Sequence, residues 1–243
     1  MTAFLLCPYP DRVEILSDGA AYKPDGTLIG ASYKVTTSDV VPLAIVGSGT
    51  ISETSLLAIM ILAAAEATGS VDDTISLLAH SLNAVRAGSI GGTGLRMAIG
   101  AISETRGPVC FVFSTFSDPA SGVPAFTLQD MPRAFAQGAA PTGEDLAAYG
   151  PVSIGNGLET DAAFLFESMR CQKMSNPAAP DREPFHSVGA HVDLTVIRAD
   201  GYEQRRLLTW PDVIGEKINP KPPEDPGIPF DDGSTFDDCT GWE

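Results

Sequence analysis

Basic residues are scarce in this sequence: 15 lysines and arginines stand against 31 aspartates and glutamates, a formal net charge of −16. Proteins that track phosphate backbones or anionic lipid need a basic face, so neither nucleic acid nor a membrane is expected as a partner. Cysteine is sparse as well. Cys7, Cys110, Cys171 and Cys239 are scattered with no C-x-x-C pair, which argues against a disulfide framework and for a reducing compartment, the cytoplasm by default. Long apolar runs are missing. The most hydrophobic stretch, LLAIMILAAA from Leu56 to Ala65, is about half of a bilayer-spanning helix and is expected as a buried helix instead. No charged leader precedes the first apolar run, so no signal peptide is expected. Neither glycine cluster, around Gly47 or at Gly91 to Gly94, is followed by Lys-Ser/Thr, which removes the nucleotide P-loop. His186, His191 and Cys171 match no zinc spacing, and no metal or cofactor is expected.

What the chain does have is apolar mass, 44% of 243 residues, enough for one sizeable core. From Phe4 to Val46 it reads as strands separated by Pro and Gly, with a turn at Lys23 to Gly26. A helix is expected from Ser52 to Gly69. A second, from Ser70 to Ala87, opens with Ser70 and Asp73 in capping-box spacing and carries Val71, Ile75, Leu78, Leu82 and Val85 as one apolar stripe. Four short strands follow between Leu95 and Gly138. One more helix is read over Leu158 to Lys173, and a closing hairpin turns around Asp200-Gly201. Strands, two helices, strands, helix and strands in that order suit an α+β fold of two packed sheets with helices outside. Residues 221 to 243 carry seven carboxylates against one lysine and are rich in proline. They are expected as a flexible acidic tail to a domain spanning 1 to 220. The DDGSTFDD run within them lacks the ligand alternation of a calcium loop.

The chemistry is concentrated at the amino terminus. Thr2 follows the initiator methionine and an apolar strand begins at once with Phe4, Leu5 and Leu6, so a buried strand would fix the terminus in space. With Met1 removed, Thr2 owns both a hydroxyl and an α-amine. An amine of pKa about 7.7–8.0 is a usable base at neutral pH, so one residue supplies a nucleophile and its base. Such a pair still needs a cation, an anion to hold it, and N–H groups aimed at a developing oxyanion. Asp18 in ILSDGA, Lys34 in ASYKV and the glycine turn VGSGT, residues 46 to 50, are candidates for these parts.

This pattern resembles the N-terminal nucleophile hydrolases, and within them the proteasome β-subunit-like peptidases. Asp18 stands 16 positions after Thr2 and Lys34 stands 32 after it, the offsets expected for that family. VGSGT ahead of a helix resembles the family's oxyanion turn and implies a role for Gly49 or Ser48. GAHVDLTVIRADG resembles its late strand and turn. The resemblance implies a four-layer αββα sandwich and a threonine amidohydrolase of the peptidase kind. In that reading Thr2 attacks, Lys34 tunes the nucleophile, Asp18 holds Lys34, and Gly49 receives the oxyanion. It also implies a homo-oligomer, a ring or spiral. Two positions depart from the family. Asn156 in IGNG stands where a serine is sought, and PFHSVG offers Ser187 but Pro184 at the aspartate place. A catalytically inactive structural or binding subunit, and a small-molecule amidase, therefore stay open as alternatives.

Overall fold

The computed structural model describes residues 2–87, 94–117, 123–176 and 181–220. The tail at 221–243, the calcium-like run within it, Met1 and most of the GGTG cluster lie outside the described residues. The chain is mixed α and β, with four α-helices and two five-stranded sheets among the described residues.

The amino-terminal hairpin pairs β1 (Phe4–Pro8) with β2 (Val13–Asp18) in antiparallel register, Phe4 opposite Ser17 and Pro8 opposite Val13. A short hairpin follows, β3 (Ala20–Tyr22) with β4 (Leu28–Ala31). Its expected turn is present: Gly26 sits at φ +87° and its N–H donates to Lys23 O at 2.9 Å. Next come β5 (Thr36–Thr37) and β6 (Leu43–Ser48), then the helices α1 (Ile51–Thr68) and α2 (Val71–Ala87). The strands β7 (Arg96–Ser103), β8 (Gly107–Ser114), β9 (Gln129–Asp130) and β10 (Phe135–Gln137) follow. After α3 (Gly143–Tyr149), a 3₁₀ turn (Ile154–Asn156) and α4 (Ala162–Cys171), the short β11 (Lys173–Met174) pairs with β12 (Phe185–His186). The chain closes on the hairpin β13 (His191–Arg198) and β14 (Gly201–Thr209), with Arg198 opposite Gly201 around the expected Asp200-Gly201 turn.

One sheet has the order β10-β1-β2-β13-β14 and the other β5-β6-β7-β8-β9. Phe4, Leu6, Val13 and Ile15 of the first pack against Ala44, Val46, Ala98, Cys110 and Val112 of the second in a shared core. Gly100 makes room there, since a Cβ on it would come within 2.7 Å of Val13 Cγ1. On the second sheet's other side, Leu43, Ile45, Met97 and Ile99 meet Ala58, Ile61 and Ala65 of α1 and Val71 and Leu82 of α2. Leu16, Val192, Leu194 and Val196 of the first sheet meet Ala162, Phe166 and Met169 of α4. Strand alternation explains how one sheet feeds two cores, because successive side chains point to opposite faces.

Two expectations change. Helix α1 was expected to be a buried helix, but only Ala58, Ile61 and Ala65 are buried, while Leu56, Ile59 and Met60 are each more than half exposed. By length and composition this 18-residue helix is apolar enough to cross a membrane, though it packs on α2 and β6. Cysteine pairing was not expected, yet Cys171 is disulfide-bonded, while Cys7 and Cys110 are free and buried.

Candidate active site

Thr2 and Ala3 lead into β1, and antiparallel pairing puts that end of the strand beside the carboxyl end of β2. Ala3 N–H donates to Asp18 Oδ1 at 3.0 Å, and Asp18 N–H donates to Ala3 O at 3.1 Å. The Asp18 carboxylate has no solvent exposure. Its Oδ1 takes the Lys34 ammonium at 2.7 Å, and its Oδ2 accepts from Ala20 N at 3.1 Å and Gly189 N at 3.4 Å. A buried carboxylate is tolerable only when hydrogen-bonded in this way. Burial pushes the Lys34 amine below its ordinary pKa, and Asp18 opposes that push. The Lys34 side chain keeps only 12% exposure.

The donor from Gly189 depends on local strain. Ala190 is held at φ +65°, a left-handed conformation that costs a non-glycine residue about 1 kcal/mol. Two bonds hold it: Ala190 N–H donates to Asp212 Oδ2 at 2.8 Å, and Ala190 O accepts from Trp210 N at 3.0 Å. Asp212 is itself clamped by the buried Arg170, whose Nη1 lies 2.8 Å away and which also stacks over Trp210.

Thr2 approaches the second sheet at the end of β6. Its nitrogen lies 3.1 Å from Ser48 Oγ, and both residues are buried. Ser48, read from sequence beside the oxyanion turn, therefore stands at the threonine nitrogen. Gly49 follows at φ +153°, and a Cβ there would fall 2.1 Å from Leu95 Cδ2, so only glycine fits. Thr50 then precedes α1 in an extended conformation and makes no side-chain cap, so the first N–H groups of the helix have no partner from it, and Ile51 and Thr54 of that first turn line the same cleft as Thr2.

A cleft of about 140 Å³ opens here. Thr2, Lys34 and Gly49 line it, together with Tyr22, Tyr33, Ile45, Thr54 and Met97 among others. Thr2, Asp18, Lys34, Ser48 and Gly49 are thus brought to one corner. Asn156 is not. It is exposed, on a 3₁₀ turn tied to the other end of the β1–β2 hairpin, where Tyr9 donates to Ile154 O at 2.6 Å and Leu158 N–H to Glu14 Oε2 at 2.7 Å. Glu14 and Asp18 are four strand residues apart, roughly 13 Å. Ser187 is buried and pairs with Tyr22, a residue of the cleft wall, rather than with the threonine nitrogen.

A second group was not legible. His191 on β13 packs its imidazole over Gly19, so closely that a Cβ on Gly19 would fall 2.2 Å from the ring. Arg206 and Asp193 flank it, with Arg206 Nη2 at 3.1 Å from His191 Nε2 and Arg206 Nε at 2.9 Å from Asp193 Oδ1. Only the HVD spacing hinted at it, since His191 and Asp193 lie on one face of a strand. His186 is engaged elsewhere, its Nδ1 3.0 Å from Arg170 O.

Compared with known proteins, the chain matches no family model and no curated protein.

Proposed function

We propose that the chain is a threonine-type N-terminal nucleophile amidohydrolase acting on peptide or amide bonds, with Thr2 exposed by removal of Met1. The carrying observation is the convergence of Thr2, Lys34 and Gly49 on one cleft, with Lys34 paired to the fully buried Asp18. The layering fits the proposal: α1 and α2 over one sheet, the two sheets face to face, and α4 over the other would make a four-layer αββα sandwich. In this mechanism Thr2 Oγ attacks the carbonyl carbon and its own amine takes the hydroxyl proton. The Lys34 cation lowers the cost of the developing oxyanionic threonine, and Asp18 fixes Lys34 in place. Ser48 Oγ, within hydrogen-bond reach of the threonine nitrogen, orients the amine and passes its proton to the leaving group. Gly49 N–H receives the carbonyl oxygen. The protein would work as a homo-oligomer without a cofactor, and the cytoplasm expected from its sparse cysteines has the disulfide of Cys171 against it.

A second reading, an inactive structural subunit of the same fold, is favoured by one observation: Asn156 is exposed on a turn held by the far end of the β1–β2 hairpin, and Ser187 pairs with Tyr22. One experiment separates the two. Intact mass should fall short of the full sequence by one methionine, and a peptide epoxyketone, which needs both hydroxyl and free amine, should label Thr2. Thr2→Ala should abolish labelling without changing the fold. A protein that retains Met1, or one that is processed and unreactive, is the structural subunit.

A further inference from the structure

His191 packs against Gly19 and Tyr33, the neighbours in sequence of Asp18 and Lys34, and takes no part in the mechanism above. The residue is buried, 3% exposed, and its ring is enclosed by five other groups. Gly19 offers a face without a side chain. Tyr33, next to Lys34, sets its ring tilted against the imidazole with the centroids 6.2 Å apart, and Arg206 lies over that same Tyr33 ring at 5.2 Å. Asp193 Oδ2 stands 2.9 Å from Nε2. The Ser32 backbone hydrogen-bonds to the ring.

These contacts fix the proton. Arg206 cannot give up its own proton, so at 3.1 Å its Nη2 donates and His191 Nε2 accepts. The ring's single proton is then on Nδ1. Ser32 N–H is already committed to Gly19 O at 3.1 Å, which leaves the Ser32 carbonyl as the acceptor for the ring. Burial favours the same neutral form, pushing the imidazole below its usual pKa, with the Arg206 charge acting in that direction and Asp193 and Asp18 against it. Asp193 Oδ2, although 2.9 Å from Nε2, is not aligned with a ring N–H and is left without a hydrogen bond.

The ring therefore joins three segments: the one after Asp18, the one before Lys34, and the closing hairpin. We propose that His191 is a positioning residue for the Thr2 site, holding the Ser32 carbonyl and Gly19 so that Lys34 and Asp18 keep the spacing of their ion pair. Its catalytic consequence rests on the nucleophile reading above, but the positioning itself does not.

The experiment compares two amide substitutions. In His191→Asn the side-chain NH₂ falls near the place of Nδ1 and can still donate to Ser32. In His191→Gln it falls near Nε2 and cannot. Epoxyketone inactivation should slow about tenfold in His191→Gln with the probe's affinity unchanged, and should remain near the unsubstituted protein in His191→Asn. The Lys34 amine, followed by ¹⁵N NMR, should titrate closer to an ordinary lysine in His191→Gln because its segment loosens towards water. If His191→Gln does not fold, His191→Ala replaces it with the same expectation. Unchanged Lys34 titration in the donor-less variant, or equal disturbance by His191→Asn, overturns the proposal. An unsubstituted protein that refuses the probe defeats the nucleophile reading alone, since the Lys34 titration still decides the positioning.

Discussion

At the scale of single residues, the Asp18–Lys34 pair makes the clearest energetic commitment. Three backbone N–H groups and one ammonium converge on a carboxylate with no exposure. Asp18→Asn leaves the Lys34 cation buried without a counter-charge, and the cost expected from breaking such a pair is about 3 kcal/mol. The loss should depend on pH with a definite sign. Lys34 already titrates below an ordinary lysine because of burial, and removing the opposing Asp18 lowers it further. A lysine with a depressed folded pKa gives an unfolded state that binds more protons, so stability rises with pH between the folded and unfolded values. That window is wider in the variant. Urea melts of both proteins should therefore show the gap largest near neutrality and narrower on the alkaline side, and a gap that widens with pH would contradict the burial of the cation. Asp18 and Lys34 were legible because their offsets from Thr2 survive in the linear text. His191 was not, because its role is set by the missing side chain of Gly19, 172 positions away, and by Arg206 on a neighbouring strand.

Among the elements, legibility followed local signals. α2 starts within a residue of expectation, with Asp73 N–H donating to Ser70 Oγ at 3.3 Å, and its stripe residues Val71 and Leu82 enter the core. α1 ends where Gly69 adopts φ +63°. The Leu158–Lys173 helix is shorter than expected, Ala162–Cys171, and Leu158 instead lies in the segment before it, its N–H bonded to Glu14. α3 was missed although its signal was present: Thr142 and Asp145 form a capping box, with Asp145 N–H donating to Thr142 Oγ1 at 3.1 Å. The short, glycine-bounded segment hid it, because seven residues contain too little periodicity to register. Such a short helix should depend heavily on its cap. Thr142→Ala is expected to cost roughly 1 kcal/mol and to raise amide exchange across 143–149 before it affects α4. Uniform exchange in both helices would mean that α3 is held by packing alone.

For the whole molecule, charge and apolar surface pull in opposite directions, and the proposed self-association is where they meet. Copies carrying −16 each repel one another, so contact has to come from a face that is locally neutral and apolar. The outer side of α1 supplies the apolar part of such a face, with Leu56, Ile59 and Met60 exposed by 58%, 61% and 59% and Leu77 of α2 in the same helix pair at 47%, although Glu66, seven residues after Ile59, is exposed on that side too. Lysine and arginine are absent from α1, so it brings no cation that would have to be desolvated. Apolar burial is insensitive to moderate salt, whereas repulsion between the copies is screened within about 10 Å at 0.1 M. Raising salt from low to moderate should therefore shift sedimentation towards the larger species. Introducing charge with Ile59→Asp and Met60→Asp should return the chain to a monomer with an unaltered thermal midpoint, because neither side chain contributes to the core. Dissociation by moderate salt would assign the contact to ion pairs. A monomer at every salt concentration would remove α1 as an interface, while leaving untouched the cleft lined by Thr2, Lys34 and Gly49 of the same chain.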